Sequence, residues 1–236
     1  MTVFLEKEFI NSVSELYKNA VFDAAVLAEE MGLSIFLIGG IVRDLILGNE
    51  IKDVDIVVQG DAVTFCLSLE KKYACEILNI QENLRTAKVK FLNGAIIDFA
   101  STRQERYVES GVLPVAYNFG CDLKEDVKRR DFTINTLALN LVGSEKYFLI
   151  DCCGGYSDIL NKKIRILHEK SFIDDPSRIV RALKFKVRFA FDFDSVTEDL
   201  MQSYLQNINQ NMPLERIKGE LKYCFNSPFI RSKGIF

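Results

Sequence analysis

Asp53 and Asp55 stand two residues apart in the run Asp53-Val54-Asp55-Ile56-Val57-Val58. In an extended strand that spacing sends both carboxylates out from one face of a sheet, while Val54 and Ile56 turn into a core. Two carboxylates on one face repel unless something cationic lies between them. A divalent ion with oxygen ligands is the natural candidate, and paired ions roughly 3.5–4 Å apart serve phosphoryl transfer. Upstream, the apolar run 34–38 stops at Gly39-Gly40, where the backbone can take conformations closed to other residues and a ligand can approach closely. A helix starting near Ile41 would aim free N–H groups and its positive dipole end at the same place, and Arg43 adds a fork suited to phosphate oxygens. Gly48 then ends that helix. Taken singly, the glycine pair also reads as a plain turn and the aspartates as a solvated strand end. Together with Arg43, at this spacing, they point to metal-assisted chemistry at a phosphate.

A further carboxylate enters downstream. Asn93-Gly94 is a strong hairpin signal, and the strand after it, 95–100, places Asp98 in an otherwise apolar run. A buried aspartate is therefore expected. Pairing with a nearby arginine would explain it; so would service as a third carboxylate beside the Asp53/Asp55 strand.

Around these residues the chain alternates helix and strand signals. Apolar positions at helical spacing (Val13, Leu16, Tyr17, Ala20, Val21, Ala24, Leu27) predict one or two amphipathic helices over 8–31. Asp61 can cap a helix running to about Lys72, and 74–78 and 86–91 read as strands. The apolar residues from 132 to 141 have helical spacing with Asp131 near the start, so a helix is expected there. A short strand follows at 148–151. A boundary near residue 168 opens a purely helical stretch: 174–189, 196–208 and 214–225, with Pro176 and Pro213 in first-turn positions. On the first of these helices Asp175, Arg178 and Arg181 are three apart and line one side, a spacing that also fits an ordinary ion pair on a solvated face.

Composition sets limits. A chain of 236 residues buries a real core without staples. A net charge of −3 is no mark of a dedicated nucleic-acid binder, so any polyanion site is a local patch, with 128–130 and 178–188 as the basic segments. The six cysteines, at 66, 75, 121, 152, 153 and 224, include no CxxC pair and read as reduced thiols. The start, MTVFLEKEF, lacks a basic region followed by an apolar core, and no stretch approaches the roughly 20 apolar residues that span a bilayer, so a cytoplasmic location is expected. The single histidine, His168, precedes Glu169 and Lys170 in what reads as an exposed loop, which argues against Ser-His-Asp triads and multi-histidine zinc sites.

GGIVRD followed by DVD resembles the signature of the DNA polymerase β nucleotidyltransferase superfamily. The longer form, GGIVRDLILG with DVDIVV, is similar to its class II branch, the CCA-adding tRNA nucleotidyltransferases and bacterial poly(A) polymerases. IDFASTRQERY resembles that family's second motif, in which an arginine, here Arg103, and a Glu-x-Tyr, here Glu105 and Tyr107, lead into a mobile loop, here 108–121. RRDFTIN resembles the next motif, which implies that Arg130 contacts the nucleotide while Asp131 and Asn135 recognise its ribose. GGYSDILNKKIRIL is similar to the closing segment of the catalytic domain. DDPSRIVRALKF stands where the family has EDxxRxxRxxRF, whose aspartate and first arginine, here Asp175 and Arg178, read the incoming base. Two positions depart from that pattern: Asp174 replaces the leading glutamate, and Lys184, after Arg181, replaces the third arginine, a point charge in place of a planar fork. PLERIKGEL resembles the last neck motif, with Arg216 and Glu220.

The resemblance implies an α+β fold: a polymerase-β-like nucleotidyltransferase head with a mixed sheet over residues 1–168, then an all-helical neck for nucleotide recognition over 169–236. It implies attack of the 3′-hydroxyl of a tRNA or other RNA primer on the α-phosphate of CTP or ATP, with release of pyrophosphate. Mg²⁺ on Asp53 and Asp55 is the implied cofactor, with Asp98 as the third catalytic carboxylate and Gly39, Gly40, Arg43 and Arg103 among the nucleotide contacts. Poly(A) synthesis, CC-only addition and A-only addition stay open, and so does a different class, a non-catalytic RNA-binding or interaction module derived from such an enzyme. Class II enzymes continue into body and tail domains that hold tRNA. The match stopping at the neck leaves a fragment, a natural short form, or half of a split enzyme whose second chain supplies those functions.

Overall fold

The computed structural model describes residues 3–51, 53–206, 218 and 220. Through them the chain runs α1 (Glu6–Ser12), α2 (Glu15–Met31), β1 (Ser34–Ile38), α3 (Gly40–Ile46), β2 (Val54–Gln59), α4 (Ala62–Lys72), β3 (Cys75–Gln81), β4 (Thr86–Phe91) and β5 (Ile96–Ser101). Short strands β6 (Gln104–Arg106) and β7 (Val115–Tyr117) lead to α5 (Leu123–Asp126), β8 (Ala138–Asn140) and β9 (Leu149–Ile150). After these come α6 (Gly155–Leu160), β10 (Lys163–Ile164), α7 (Ser171–Asp174), α8 (Ser177–Phe189), β11 (Asp192–Phe193) and α9 (Ser195–Gln206). The fold is α+β.

Two compact units share this chain. The first takes the residues up to Glu105, Ala116–Arg130 and Asn135–Cys153; the second takes Arg106–Val115, Asp131–Ile134 and the chain from Gly154 onward.

The first unit is built on a seven-stranded sheet in the order β3-β4-β5-β2-β1-β8-β9. It is mixed, because β2 and β5 run parallel while β1 pairs antiparallel with both β2 and β8. Asp61 starts α4 as expected, its Oδ1 accepting from the N–H groups of Val63 and Thr64. α4 lies on the sheet face that carries Phe99, whose ring stands 5.7 Å from that of Phe65. Strand alternation therefore turns Asp98 to the opposite face. There Phe36, Ile38, Val57 and Ala138 pack with Leu123 and Val127 into a second apolar layer. The acids sit on the same face as that layer, on the same strands.

The expected helix over 132–141 does not form. Phe132 makes an isolated bridge, Thr133–Asn135 is a single 3₁₀ turn, and β8 follows. Every residue from Asp131 to Leu141 is buried. A segment enclosed on both faces reads as one continuous apolar run, in which the helical period carries no information.

In the second unit Phe132, Phe172, Ile179, Ala182 and Phe185 are buried, with the rings of Phe132 and Phe185 edge to face at 5.7 Å. Arg165 ties Asp158 (3.1 Å) to Asp194 (2.8 Å). The helix expected over 174–189 is broken into α7 and α8, because Asp175 precedes a proline and is extended, at φ −140 and ψ 92. In the stretch beyond residue 168, β11 pairs in parallel with β10. The helix expected over 214–225, with Pro213 and Arg216, lies outside the described residues apart from Lys218 and Glu220. His168 is exposed and the five described cysteines are free, as the sequence suggested. Among the described residues no helix is long and apolar enough to cross a membrane.

Candidate active site

The register of β2 and β5 puts Asp55 directly beside Asp98, on adjacent strands about 4.8 Å apart. Asp53 immediately precedes β2, and both it and Asp55 are exposed. Asp98 is not buried, contrary to expectation: its side chain is 49% exposed and pairs at 3.0 Å with Lys88 of β4 rather than with an arginine. The apolar run around it fills only the α4 face, and the other face of β5 is open at this point.

The Asp55 carboxyl is pushed above the ordinary carboxylate range. Partial withdrawal from water contributes most, then the charges of Asp98 and Asp53, against the pull of Arg130 and Lys88. Although the side chain is exposed to solvent, the crowding by two other carboxylates is direct geometry. Among the described residues no three metal-binding side chains already converge into a formed cage. An all-oxygen donor set under mutual repulsion nevertheless suits a hard divalent cation.

Gly39, at φ +76, lies beside this row in sequence order of the strands. A Cβ there would stand 3.2 Å from Nη1 of Arg130 and 3.4 Å from the carbonyl oxygen of Asn135, so the left-handed backbone and the close packing both require glycine. Gly40 opens α3. Arg43, expected to face a phosphate, is buried and turned inward. Its Nε and Nη2 donate to Asp44 (3.1 and 3.0 Å), and its Nη1 donates to Oδ1 of Asn135 (2.5 Å).

Arg130 is held from below by Asp126, which accepts from its Nη2 at 3.0 Å and from Nε of Arg129 at 2.9 Å. Asp126 is wholly buried and also accepts from the Arg103 N–H at 3.0 Å. Burial pushes its carboxyl up, but Arg130, Arg129 and that N–H outweigh burial and hold it below the usual range. Sequence reasoning passed over Asp126, although its place three and four residues before the two arginines was a usable signal. Arg103 donates from Nε to Glu105 at 2.9 Å, and Glu105 also accepts from Arg129 at 3.1 Å.

The second unit holds the remaining candidates. Asp175 does not line α8; it precedes it, and its Oδ1 accepts from the N–H (3.1 Å) and hydroxyl (2.6 Å) of Ser177. Arg178 is 3% exposed, so it does not stand on the solvated face that spacing alone allowed. Its Nη1 donates to the Ser171 hydroxyl at 2.7 Å, and its guanidinium lies 5.8 Å from the ring centre of Tyr107. Arg181 donates from Nε and Nη2 to Oδ2 of Asp131 (2.8 and 2.5 Å) and from Nη1 to Glu220 at 2.9 Å. Lys184 reaches the other oxygen of Glu220 at 2.7 Å, a contact that a point charge makes as well as a fork. The fold thus gathers Asp53, Asp55, Asp98, Gly39, Gly40, Arg43, Arg103, Arg130 and Asn135 in one unit, and Asp131, Asp175, Arg178, Arg181 and Lys184 in the other.

Comparison with known proteins adds to this geometry. The chain is 39% identical over 181 residues to an A-adding tRNA nucleotidyltransferase of Geobacter sulfurreducens, covering 77% of this chain and 20% of that protein. Among solved structures, a CCA-adding enzyme in its apo form matches with a TM-score of 0.86 at 31% identity, over 99% of this chain and 56% of that one. A CCA-adding enzyme in complex with CTP matches with a TM-score of 0.82 at 29% identity, over 99% and 53%. The chain therefore spans about a fifth of the curated relative and a little over half of each solved one. The profile of the poly A polymerase head domain matches residues 35–165, more than half of the 236. The row of acids, the obligatory glycine turn and these matches agree: the chain belongs to the poly A polymerase head domain family.

Proposed function

We infer that the chain carries the head and neck of a template-independent RNA nucleotidyltransferase, which adds A, C or both from ATP and CTP to the 3′ end of tRNA and releases pyrophosphate. The observation that carries this reading is Asp55 in register beside Asp98, with Asp53 two residues before it. Mg²⁺ bound by Asp53 and Asp55 would activate the attacking 3′ oxygen and neutralise charge on the triphosphate. Gly39 and Gly40 let phosphate oxygens approach the backbone, and Arg130, fixed by Asp126, supplies positive charge beside them. Arg43 and Arg103 support the nucleotide contacts from within the unit, and Asn135, oriented by Arg43, is the ribose contact of that unit.

Residues 1–168 act as the catalytic head and 169–236 as the neck that reads the base. Cytosine and adenine both present an amino donor beside a ring-nitrogen acceptor, and guanine and uracil present the reverse. An aspartate accepting from the amino group and an arginine donating to the ring nitrogen suit the first pair. Asp175 and Arg178 take those roles, with Arg181 and Lys184 holding the helix face around them. With tRNA as substrate and reduced thiols, the activity is placed in the cytoplasm.

A-only addition is favoured among the alternatives, because sequence identity is 39% to an A-adding relative against 28% to a CC-adding one and 32% to a CCA-adding one. The test offers each labelled nucleoside triphosphate with Mg²⁺ to tRNA lacking its CCA end and to tRNA ending in CC. Label from ATP on the CC-ended tRNA alone is the expected result. Absence of any incorporation by the folded chain, with Asp55→Ala indistinguishable from it, would leave a non-catalytic RNA-binding module.

A further inference from the structure

Three neighbouring strands set a lysine into the row of acids. Asp55 on β2 lies beside Asp98 on β5, and Asp98 lies directly opposite Lys88 on β4. Residues in register on adjacent strands share a face, so Lys88, Asp98 and Asp55 form one line across the sheet. Lys90, the next residue on that face of β4, lies opposite Ile96 and meets no acid on β5. Lys88 is thus the residue of β4 that register delivers to the acidic row.

The contact is direct and weakly held. Nζ of Lys88 is 3.0 Å from Oδ2 of Asp98, with the two side chains 46% and 49% exposed. Exposed pairs of this kind contribute little and exchange readily with stronger partners.

We propose that Lys88 is a tethered counter-cation: it neutralises the acidic row before a divalent ion arrives and competes with that ion for Asp98, thereby setting the ion concentration at which the site fills. This rests on the metal reading of Asp53 and Asp55 given above, with Asp98 as the third carboxylate of that site. The competing role of Lys88 is a simple cross-strand ion pair with no bearing on the ion.

Calorimetric titration of the full chain with Mn²⁺ alone separates these. Lys88→Gln should bind Mn²⁺ about two- to fivefold more tightly than the unaltered chain, the range an exposed ion pair supports. In an Asp98→Asn background the same substitution should add nothing, because the contact through which it acts is gone. Lys88→Gln should also melt lower than the unaltered chain without ion and regain more on adding it. Equal or weaker binding by Lys88→Gln, or the same gain in the Asp98→Asn background, overturns the proposal. If the unaltered chain and Asp55→Asn bind Mn²⁺ alike, the metal reading itself fails and this inference with it.

Discussion

Asp55 shows at the scale of one residue why a site is costly to keep. Its carboxyl is raised by partial desolvation and by Asp98 and Asp53, so the ionised form opposes folding at neutral pH. Asp55→Asn should abolish nucleotide addition yet leave the ion-free protein as stable or slightly more so. After solvent screening the gain is about 1 kcal/mol or less, or ~2–4 °C in melting temperature for a chain of this size. A clear fall in the melting temperature without ion would contradict this account. Gly39 is the opposite case, since its φ of +76 strains any side chain and a Cβ there would press on Arg130 Nη1 at 3.2 Å. Gly39→Ala should cost about 1–3 kcal/mol, read as a lower denaturant midpoint at unchanged slope. Unchanged stability would mean that the turn relaxes, and that the close approach to Arg130 is not fixed.

At the scale of elements, two helix ends do chemical work. Asp126, at the end of α5, organises Arg129, Arg130 and the backbone of Arg103 while wholly buried. Because its folded pKa lies below the ordinary value of about 3.9, the stability it contributes is fully present above that value and lost as pH falls through the folded one. Asp126→Asn should lower stability at pH 7 by roughly 3–5 kcal/mol, as expected when one partner of a buried charge cluster is removed. It should also flatten the pH dependence of stability below about pH 4; denaturation midpoints at pH 7 and pH 3 check both. Asp175 precedes α8 and accepts from Ser177, so a change there touches both the helix start and the base. Asp175→Ala should lose about 0.5–2 kcal/mol of stability along with discrimination of ATP from GTP and UTP. Asp175→Asn keeps an oxygen for Ser177 and should narrow discrimination with smaller loss of stability. Single-nucleotide incorporation of all four triphosphates on one primer measures this, and unchanged selectivity in both variants would mean that other groups read the base.

For the molecule as a whole, charge is the limiting quantity for RNA. The chain carries a net charge of −3 and spans a little over half of the solved relatives. On the proposed function, its phosphate contacts would then be confined to local basic patches. We expect the isolated chain to bind tRNA weakly, with affinity falling only shallowly as salt rises. Filter binding across a salt series would show otherwise if affinity were high and steeply salt-dependent.

Local patterns in the sequence determined what local physics governs. The strand at 34–38, the glycine turn, the Asp61 cap and the strand at 86–91 are all where the chain's own periodicity and caps place them. The same is true of the carboxylate pair on β2, because side chains two apart on a strand must share a face. The α+β class and the mixed sheet came from motifs, since one sequence shows no strand order. Tertiary structure decided the rest. Burial on both faces turned the apolar run after Asp131 into a turn and strand, erasing the period on which a helix was expected. Register across β4, β5 and β2 gave Asp98 a lysine partner and an open face, because which strand lies next to which is set by the whole sheet. The same holds for Asp126: its separation from Arg103 along the chain hid a carboxylate on which, once folded, three arginines converge through side chain or backbone.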